Sequence, residues 1–436
     1  MANAYVVVGL GFGDEGKGSW VDHLVRKHDI RYTLRFNGGA QALHHVVTPE
    51  GVTHGFSQFG SGSFIPDTKT ILSNFMLVEP LALIKESEIL KSKGITNPFE
   101  RLIISENAPI ISKFHIFLNR IKEISREGNR HGSCGFGIGE TQDDVENKSN
   151  KVIYVKDLYN KTLLREKLNW LYNQKLSIAQ SIATSKESEL LKDFESFNID
   201  EYCDLLYHFA KKIYVVSDKY IKTLISKNDT VFEGAQGVLL DQQYGFFPYS
   251  TRSNTTFANA ELLLEETNSN MIKIGLLRAY ATRHGAGPFI TEDPDLKLPT
   301  CHNSYGEWQQ NFRLGWFDTV SARYALEITG KLDILAITNL DRLYGQPQLK
   351  IANSYKSNSN FFSDNKIKIL DNDLSLLTQR TSQMTSINID YITAQGFNSF
   401  EDPSCQKYIK LISNMINHDI HVVSVRPDYE KKYLLD

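Results

Sequence analysis

The chain reads Val8-Gly9-Leu10-Gly11-Phe12-Gly13-Asp14-Glu15-Gly16-Lys17-Gly18-Ser19 directly after a strand-like run, Tyr5–Val8. Glycines let backbone N–H groups approach an anion closely, and a helix that begins after such a turn adds the positive end of its dipole. Beyond Lys17 the apolar side chains recur with helical spacing, and the lysine itself supplies a point charge for phosphate. This order of strand, glycine-rich turn and helix predicts an α/β protein with a phosphate-binding loop.

The loop fits only part of the P-loop pattern. The spacing of Gly11, Gly16 and Lys17 matches GxxxxGK[ST], but Gly18 stands where the magnesium-binding Ser or Thr is expected. A carboxylate inside the loop repels phosphate unless it holds Mg²⁺ or acts as a base, so Asp14 is a candidate for the missing metal ligand. The alternative is a plain glycine turn with a solvated Asp-Glu pair.

Short β-branched runs alternate with helix-length amphipathic stretches along the rest of the chain. The predicted strands are Tyr5–Val8, Tyr32–Phe36, Thr70–Leu72, Leu102–Ser105, Thr230–Phe232, Ile272–Leu276, Ile334–Thr338 and His421–Ser424. The predicted helices are Leu81–Ser92, Ile110–Ile124, Asp157–Asn173, Glu201–Ser226, Thr319–Thr329 and Lys407–Asn417. Of two polar segments, Arg126–Lys151 is predicted to be a functional glycine-spaced loop, and Asn353–Lys368 a β-ribbon or a surface excursion. The pattern predicts one domain, residues 1–436, with a large central, mostly parallel sheet flanked by helices, and loop-rich and small β insertions.

The composition is that of a folded, enzyme-sized protein. The 436 residues are 41% hydrophobic and 23% charged, and 48 basic against 51 acidic residues leave a net charge of −3. This balance argues against a nucleic-acid partner, and no run approaches the roughly 18 apolar residues of a membrane span. The N-terminus lacks the basic region of a signal peptide, and the four cysteines (Cys134, Cys203, Cys301 and Cys405) show no CxxC spacing. We therefore expect a cytoplasmic enzyme without disulfides or structural zinc.

A second group of chemically active residues follows the strand predicted to end at Phe36. It reads Arg35-Phe36-Asn37-Gly38-Gly39-Ala40-Gln41-Ala42-Leu43-His44-His45. Open α/β sheets bind ligands beyond the carboxyl ends of their strands, where His44 is expected to lie. An imidazole there serves as a general acid or stabilises charge during phosphoryl transfer, whereas an isolated histidine is more often structural. Beside the phosphate loop, the functional interpretation is favoured.

Further motifs follow along the chain. They are Phe232-Glu233-Gly234-Ala235-Gln236-Gly237, Pro248-Tyr249 with Thr251 and Ser253-Asn254-Thr255-Thr256, Thr282-Arg283 with Gly285-Ala286-Gly287-Pro288-Phe289, Gly315-Trp316-Phe317-Asp318, Thr338-Asn339-Leu340-Asp341, and Ser424 with Pro427-Asp428. Together with the two segments above, they resemble the motifs of the adenylosuccinate synthetase family in order and spacing over nearly the whole chain. The resemblance implies a P-loop-related fold and a GTP-dependent ligase that joins aspartate to IMP in purine nucleotide (AMP) biosynthesis.

The resemblance also implies catalytic and metal-binding roles. Asp14 matches the family's catalytic aspartate, a base for the purine N1 proton and a Mg²⁺ ligand, and the carbonyl of Leu43 matches a second Mg²⁺ ligand. His44 matches the general acid that stabilises the phosphate as it moves from GTP to O6. Gln236 is counted with them as a catalytic contact to the acceptor nucleotide. The implied cofactor is therefore Mg²⁺, with GTP as co-substrate.

Binding roles follow in the same way. The implied GTP contacts are Gly13, Glu15, Gly16, Lys17, Gly18, Asn339, Asp341 and Ser424, with Asp341 reading guanine N1 and N2. The implied acceptor-nucleotide contacts are Gln41, Cys134 and Thr251, and the implied amino-acid contact is Arg313. A homodimer is implied as well, because the family shares nucleotide-phosphate contacts across a two-fold interface.

Departures from the family pattern cluster on the acceptor side. Where the family has four consecutive arginines shortly before Gly-Trp, the stretch Glu307–Leu314 retains only Arg313. The family's cross-subunit arginine aligns with Asn150 or, with a different gap, Lys148. Guanidinium groups hold carboxylates and phosphates through bidentate hydrogen bonds, so these losses bear on both substrates. The candidate replacements are Lys151, Arg252 and Arg313.

Three functions follow from these observations. The first is the ligation of aspartate to IMP with GTP. The second keeps the same phosphoryl-transfer chemistry but uses a different amine donor, or a different purine or carbonyl acceptor. The third is a GTP-binding homologue without turnover, against which the retention of Asp14, Lys17 and His44 argues.

Overall fold

A ten-stranded sheet forms the centre of the computed structural model, which describes residues 1–147, 151–299, 306–357, 359–428 and 430–435. The strands are β1 (Asn3–Gly9), β2 (Tyr32–Arg35), β3 (His44–Val47), β4 (Thr53–Phe56), β5 (Lys69–Leu72), β6 (Leu102–Ser105), β7 (Tyr214–Val216), β8 (Thr230–Glu233), β9 (Asn270–Arg278), β10 (Ala281–His284), β11 (Phe312–Gly315), β12 (Phe317–Asp318), β13 (Ile334–Thr338), β14 (Gln348–Lys356), β15 (Phe362–Ser363), β16 (Lys366–Ile367), β17 (Asn388–Gln395), β18 (Val422–Ser424) and β19 (Lys432–Leu434).

The α-helices lie between these strands. They are α1 (Lys17–His28), α2 (Pro80–Ser92), α3 (Lys113–Ser125), α4 (Ile138–Glu146), α5 (Lys161–Ile182), α6 (Ser188–Glu195), α7 (Ile199–Ala210), α8 (Asp218–Lys227), α9 (Ala258–Leu264), α10 (Thr319–Thr329), α11 (Leu374–Gln383) and α12 (Pro403–Ile416). None of the helices in the described ranges is both long and apolar enough to cross a membrane.

The central sheet has the strand order β19-β18-β13-β9-β1-β8-β2-β5-β6-β7. Neighbouring strands are parallel, apart from the antiparallel pair β18–β19 at one edge. Every strand predicted from the sequence belongs to this sheet. The mostly parallel α/β architecture is therefore confirmed.

The single helix predicted over Glu201–Ser226 is wrong, because the chain forms α7, β7 and α8 there. Tyr214–Val216 pairs in parallel with β6, since its adjacent valines suit a pleated strand. The side chain of Ser217 then accepts a hydrogen bond from the N–H of Tyr220, which begins a new helix. The short strand was not predicted, because apolar residues keep helical spacing in both of the helices that flank it. The helix predicted over Thr319–Thr329 has these bounds in the structure, and the other predicted helices are present with shifted ends.

Strand β1 is buried on both faces. Val6 and Val8 belong to the larger core cluster, whereas Val7 packs in another cluster with Trp20 and Val21 of α1. A parallel strand covered on both sides is apolar throughout instead of alternating, as this one is. Its pairing with β8 on one side and β9 on the other brings three carboxyl ends together.

Small β elements surround the sheet, as predicted. β3 pairs with β4, β10 with β11, β15 with β16, and the long strands β14 and β17 form an antiparallel ribbon. The described part of Asn353–Lys368 contributes to β14, β15 and β16, so the β-ribbon alternative is correct. The glycine-spaced segment Arg126–Lys151 contains α4 after an irregular stretch.

The first turn of α1 packs closely against the beginning of β3. A Cβ atom on Gly18 would lie 2.6 Å from the carbonyl oxygen of His45 and 2.9 Å from the carbonyl carbon of His44. Both distances are shorter than van der Waals contact, and both neighbours are backbone atoms. A glycine at this position therefore lets His44 approach the phosphate loop, and a serine or threonine does not fit.

We expect Gly18→Ser to lower the free energy of unfolding by about 3 kcal/mol, because the new side chain separates α1 from β3. Urea unfolding followed by fluorescence measures this change. The matched control is Gly128→Ser, since a Cβ there meets nothing within 4 Å. Its effect should stay within about 0.5 kcal/mol. Equal losses in the two variants would contradict the close packing.

The segment that follows the β3–β4 hairpin is held by a buried carboxylate. Glu86 of α2, only 4% exposed, accepts hydrogen bonds from the N–H groups of Ser57 at 2.7 Å and Gln58 at 2.9 Å. The hydroxyl of Ser57 also donates to Glu86, at 2.8 Å. These donors are buried, so the position of the hairpin, and with it that of His44, depends on this carboxylate.

Replacing Glu86 by Ala should lower the free energy of unfolding by about 3 kcal/mol or more, because several buried donors lose their acceptor. Glu88→Ala on the same helix is the control. Glu88 pairs with Lys91 at 2.8 Å on the surface, and such pairs contribute about 1 kcal/mol or less. A comparison of urea midpoints tests the difference, and similar midpoints would show that Glu86 does not hold the hairpin.

Candidate active site

A cavity of about 730 Å³ opens where the central strands end. Most of the site residues expected from the sequence line it: Gly13, Asp14, Gly16, Lys17, Gly18, Gln41, Leu43, His44, Cys134, Gln236, Thr251, Asn339 and Ser424. Apart from that of Cys134, which lies between α3 and α4, their segments follow β1, β2, β8, β13 and β18, whose parallel pairing places those carboxyl ends on one edge. Glu15, Asp341 and Arg313 do not belong to the cavity wall.

The phosphate loop is organised around a buried carboxylate. Glu15 is 1% exposed and accepts hydrogen bonds from the N–H groups of Gly11 at 3.0 Å and Gly13 at 2.8 Å. Its other oxygen pairs with Nζ of Lys17 at 2.8 Å. The same ammonium group donates to the carbonyl oxygen of Gln236 at 2.5 Å. Glu15 therefore lies beneath the loop and shapes it, while Lys17 borders the cavity.

Asp14 lies at the sharpest bend of the loop, with a φ of 62°. Its Oδ2 atom is 2.9 Å from Nε2 of His284, and its carbonyl oxygen accepts a hydrogen bond from Arg278 at 2.7 Å. Burial alone would raise the pKa of Asp14, but the hydrogen bond from His284 and the charges of Arg278 and Lys17 lower it to about 2. The carboxylate is therefore ionised at neutral pH, as a Mg²⁺ ligand or a proton acceptor must be.

His44 is oriented by a fully buried glutamate. Its Nδ1 atom lies 2.5 Å from Oε1 of Glu233, and Ser61 donates its N–H to the other carboxylate oxygen at 2.9 Å. Burial lowers the pKa of His44 to about 4 against the opposing effect of Glu233, so the imidazole is neutral before a ligand binds. Its Nε2 atom is buried and has no hydrogen-bond partner among the described residues. A phosphoryl group near Nε2 would raise the pKa of the imidazole through its negative charge, and the protonated ring would then donate a hydrogen bond to it from Nε2.

Two amide side chains in the wall also have buried atoms without partners in the described ranges. These are both amide atoms of Gln41 and Oε1 of Gln236. Buried polar groups are nearly always hydrogen-bonded, and one left unsatisfied costs about 1–3 kcal/mol. A polar ligand in the cavity would restore these bonds.

The residues expected to bind guanine lie together after the neighbouring strands β13 and β18. Asn339 has a φ of 57° and borders the cavity, as does Ser424. Asp341 follows in a short helical turn, 3.5 Å from Nε of Arg342, and burial raises its pKa despite the nearby arginines. The structure thus brings these three residues close together, although Asp341 lies behind the cavity wall.

The acceptor-side residues form another part of the wall. Burial raises the pKa of Cys134 to about 12, so its thiol stays protonated. The hydroxyl of Thr251 lies 3.3 Å from that of Ser253. Both Cys134 and Thr251 thus offer uncharged polar groups to a ligand. Lys148 and Asn150, the alternatives for the cross-subunit arginine, lie outside the described residues.

Arg313 does not reach the cavity. It lies on β11, and its guanidinium group pairs with Glu292 at 2.8 Å. It also donates to the carbonyl oxygens of Gly285 at 2.8 Å and Gly287 at 2.7 Å. These contacts hold the β10–β11 pair together. The expected contact of Arg313 with an amino-acid substrate therefore stays a prediction.

The described part of the loop before β11 contributes other side chains. Trp308 packs over Gly135, where an added Cβ would lie 2.8 Å from its ring, and Arg120 lies 5.0 Å from the centre of that ring. Gln309 lines the cavity, whereas Glu307 is exposed and lies outside the wall.

Sequence reasoning assigned no role to three side chains that contact the expected catalytic residues. Glu233 belongs to the motif Phe232–Gly237. It is a charged residue at the end of a fully buried strand, and this is a signal from which its role could have been predicted. His284 and Arg278 lie far from Asp14 in the sequence, since 264 positions separate Asp14 from Arg278 and still more separate it from His284. No local spacing relates them to Asp14, because their contact arises from the pairing of β1 with β9.

The cavity suits Mg²⁺ better than a metal that needs several protein ligands. In the described part of the chain, no three His, Cys, Asp or Glu side chains are grouped to hold a metal ion. Mg²⁺ is usually bound by one or two protein oxygens together with water and phosphate. The ionised carboxylate of Asp14 and the exposed segment at Leu43 border the same cavity and provide such oxygens.

Comparison with known proteins agrees with this geometry. The adenylosuccinate synthetase family model matches residues 6–433. The adenylosuccinate synthetase of Caldanaerobacter subterraneus subsp. tengcongensis is 31% identical, over 99% of this chain and 98% of the relative.

Two solved structures share the fold. Adenylosuccinate synthetase from Plasmodium falciparum, fully ligated, has a TM-score of 0.78 and 23% identity, with 100% of both chains covered. The cyanophage S-2L succinoaminodeoxyadenylate synthetase, bound to dGMP and dATP, has a TM-score of 0.60 and 13% identity, covering 100% of this chain and 95% of that one. Since the family model spans nearly all of the chain that builds this cavity, the protein belongs to the adenylosuccinate synthetase family of GTP-dependent carbon–nitrogen ligases.

Proposed function

We propose that this chain transfers the γ-phosphoryl group of GTP to O6 of IMP and then joins C6 to the amine of aspartate. The products are GDP, phosphate and adenylosuccinate. The observation that carries the proposal is the meeting of Lys17, Asp14 and the unpartnered Nε2 of His44 in one cavity. Their arrangement supplies the charge, the base and the donor that phosphoryl transfer to a purine oxygen requires.

In the first step O6 attacks the γ-phosphorus while N1 loses its proton. Asp14 is the base in this proposal, and its low pKa suits the step because N1 loses basicity as the O6–P bond forms. His44, oriented by Glu233, faces the transferred group through Nε2 and stabilises its charge. Gln236 contributes the buried oxygen of its amide.

In the second step the amine attacks C6, and the C6–O6 bond breaks. O6 leaves as part of phosphate, which carries away a proton from the amine. Phosphorylation makes this possible, because an oxygen bonded to phosphorus is a far better leaving group than a purine oxo group. Holding the two reactants in line accounts for much of the catalysis.

The proposed reaction also assigns a ligand to each group of residues around the cavity. Gly13, Gly16, Lys17 and Gly18 bind the GTP phosphates, while Asn339, Asp341 and Ser424 bind guanine. Gln41, Cys134 and Thr251 contact the acceptor nucleotide. Asp14 and the carbonyl of Leu43 would hold Mg²⁺, which neutralises phosphate charge when bound.

The wider organisation is also part of the proposal. Residues 1–436 act as one catalytic domain with insertions, in a homodimer, which sedimentation can test. A cytoplasmic location is supported by Cys134, Cys203 and Cys405, which are free thiols. Cys301 lies outside the described residues. The ligands are small molecules, with no nucleic-acid or membrane partner.

A second candidate keeps the phosphoryl transfer but changes the amine or the acceptor. It is favoured by the position of Arg313, whose guanidinium group is occupied by Glu292 and two backbone carbonyls. The cyanophage synthetase is bound to dGMP and dATP, so these nucleotides are one acceptor and donor pair to include in a test.

The purified protein, given GTP, Mg²⁺, IMP and aspartate, should release one phosphate for each adenylosuccinate detected by mass spectrometry. A panel of other amines and purine nucleotides, including dGMP with dATP, serves as the comparison. Another pair turned over faster than aspartate and IMP would favour the second candidate. GTP binding by calorimetry without phosphate release from any pair would favour the third function, a non-catalytic homologue.

Glu233→Gln should lower kcat by about 10²- to 10⁴-fold, because a neutral amide no longer stabilises a protonated His44. The KM for GTP should change little, since Glu233 lies outside the cavity wall. A melting temperature near that of the wild type separates lost catalysis from lost folding. As a control, His418→Gln alters a histidine that bonds the carbonyl of Asp419 on the surface and should leave kcat unchanged. A wild-type kcat for Glu233→Gln would refute the role of this pair.

A further inference from the structure

The acceptor side of the cavity carries cations that are paired with acids. The pairs are Lys122–Glu140 at 3.3 Å, Arg126–Glu123, and Arg252 with Asp143 at 2.6 Å and with Glu146 at 3.4 Å. A nucleotide phosphate brings negative charge and competes with these carboxylates for the cations. Only a cation whose acidic partner is readily exchanged can bind the phosphate.

Burial distinguishes these pairs. Glu123 is 1% exposed and also accepts hydrogen bonds from the N–H groups of Gly132 at 3.2 Å and Ser133 at 3.3 Å, so it is fixed in place. Glu140 is buried as well, at 7% exposure. The side chains of Arg252 and Asp143 are 37% and 42% exposed. Pairs with this exposure are weak and exchange with solvent ions, so Arg252 is the cation free to change partners.

The other arginines at the centre of the cavity are held by backbone. Arg278 donates to the carbonyl oxygen of Asp14 at 2.7 Å, and Arg283 donates to those of Pro288 at 2.7 Å and Tyr249 at 3.1 Å. The partners in these contacts are backbone carbonyl oxygens, so a phosphate cannot take the place of a carboxylate there. They fix both guanidinium groups within the fold.

Arg252 also lies beside the polar groups that a phosphate needs. It follows Thr251 in the chain, and its Cγ atom lies 3.4 Å from the position of a Cβ on Gly139, in the first turn of α4. The unpartnered amide of Gln41 approaches the same region, because it borders Gly39 together with Ile138 of that turn. A hydroxyl, an amide, the start of a helix and a half-exposed guanidinium therefore border one part of the cavity.

We propose that Arg252 leaves its exposed partners Asp143 and Glu146 to bind the phosphate group of the acceptor nucleotide, within its own subunit. The identity of that anion as a nucleoside monophosphate rests on the proposed function. Thr251 and Gln41 complete the phosphate contacts. On this arrangement the acceptor phosphate is held without an arginine from a partner subunit.

Steady-state kinetics of Arg252→Ala tests the proposal. KM for IMP should rise about 10- to 100-fold, while KM for GTP changes less than about twofold, because one charge-assisted contact is lost at one substrate only. The preference for IMP over inosine should fall by the same factor, which a general loss of structure would not cause. Arg252→Lys should recover part of the effect, and Asp143→Asn should lower KM for IMP by removing the nearer of the two competing carboxylates.

Arg165→Ala is the matched control, since Arg165 pairs with Asp200 at 3.0 Å on the surface of α5. An unchanged KM for IMP in Arg252→Ala, with wild-type turnover, would overturn the role of Arg252 and leave the proposed reaction intact. If the wild type binds IMP without turnover, calorimetric Kd values for IMP and inosine replace KM and decide in the same way. A wild type that neither binds nor converts IMP would overturn the proposed function and, with it, this inference.

Discussion

The ammonium group of Lys17 lies between the carboxylate of Glu15 and the carbonyl of Gln236, and this contact joins the loop after β1 to the loop after β8. Because Glu15 also accepts hydrogen bonds from Gly11 and Gly13, the same charge pair determines the path of the phosphate loop. That path sets the bend at which Asp14 meets His284 and Arg278. The parallel pairing of β1 with β8 and β9 makes all of these contacts possible, since it brings three strand ends within reach of one lysine.

The path of the phosphate loop also sets the position of α1, against which β3 packs closely. This packing brings His44 into the cavity beside Asp14. Gly18 admits the backbone of His44, and Glu233 fixes the ring from the end of β8. The result is a neutral imidazole whose free nitrogen lies in the cavity and becomes more basic when negative charge arrives. The net charge of the chain is only −3, so its surface carries no large overall field. The charges that act on a ligand are instead a few buried pairs around the cavity.

The parts of this architecture that the sequence predicted are those that local patterns encode. Continuous apolar runs identified the buried strands of the sheet, and glycine spacing identified the phosphate loop and the segment before His44. The short strand β7 was missed because two amphipathic helices flank it with the same periodicity. The contacts of His44 with Glu233 and of Asp14 with His284 could not be predicted, since they follow from the order of strands in space.

The two halves of the cavity differ in how they hold charge, and this difference bears on substrate choice. Around the phosphate loop, Lys17 and Glu15 are almost fully buried, so loss of either partner leaves the other charge buried without compensation. On the acceptor side, Arg252 and Asp143 are half-exposed, and a weak pair of this kind yields to a ligand that offers a better geometry. Replacing one partner of a buried pair alone is strongly destabilising, whereas an exposed charge can change identity and position at little cost. The residues for phosphoryl transfer are therefore the part of this fold that tolerates least change. The contacts to the acceptor and to the amine are the part that can differ among proteins that share the fold.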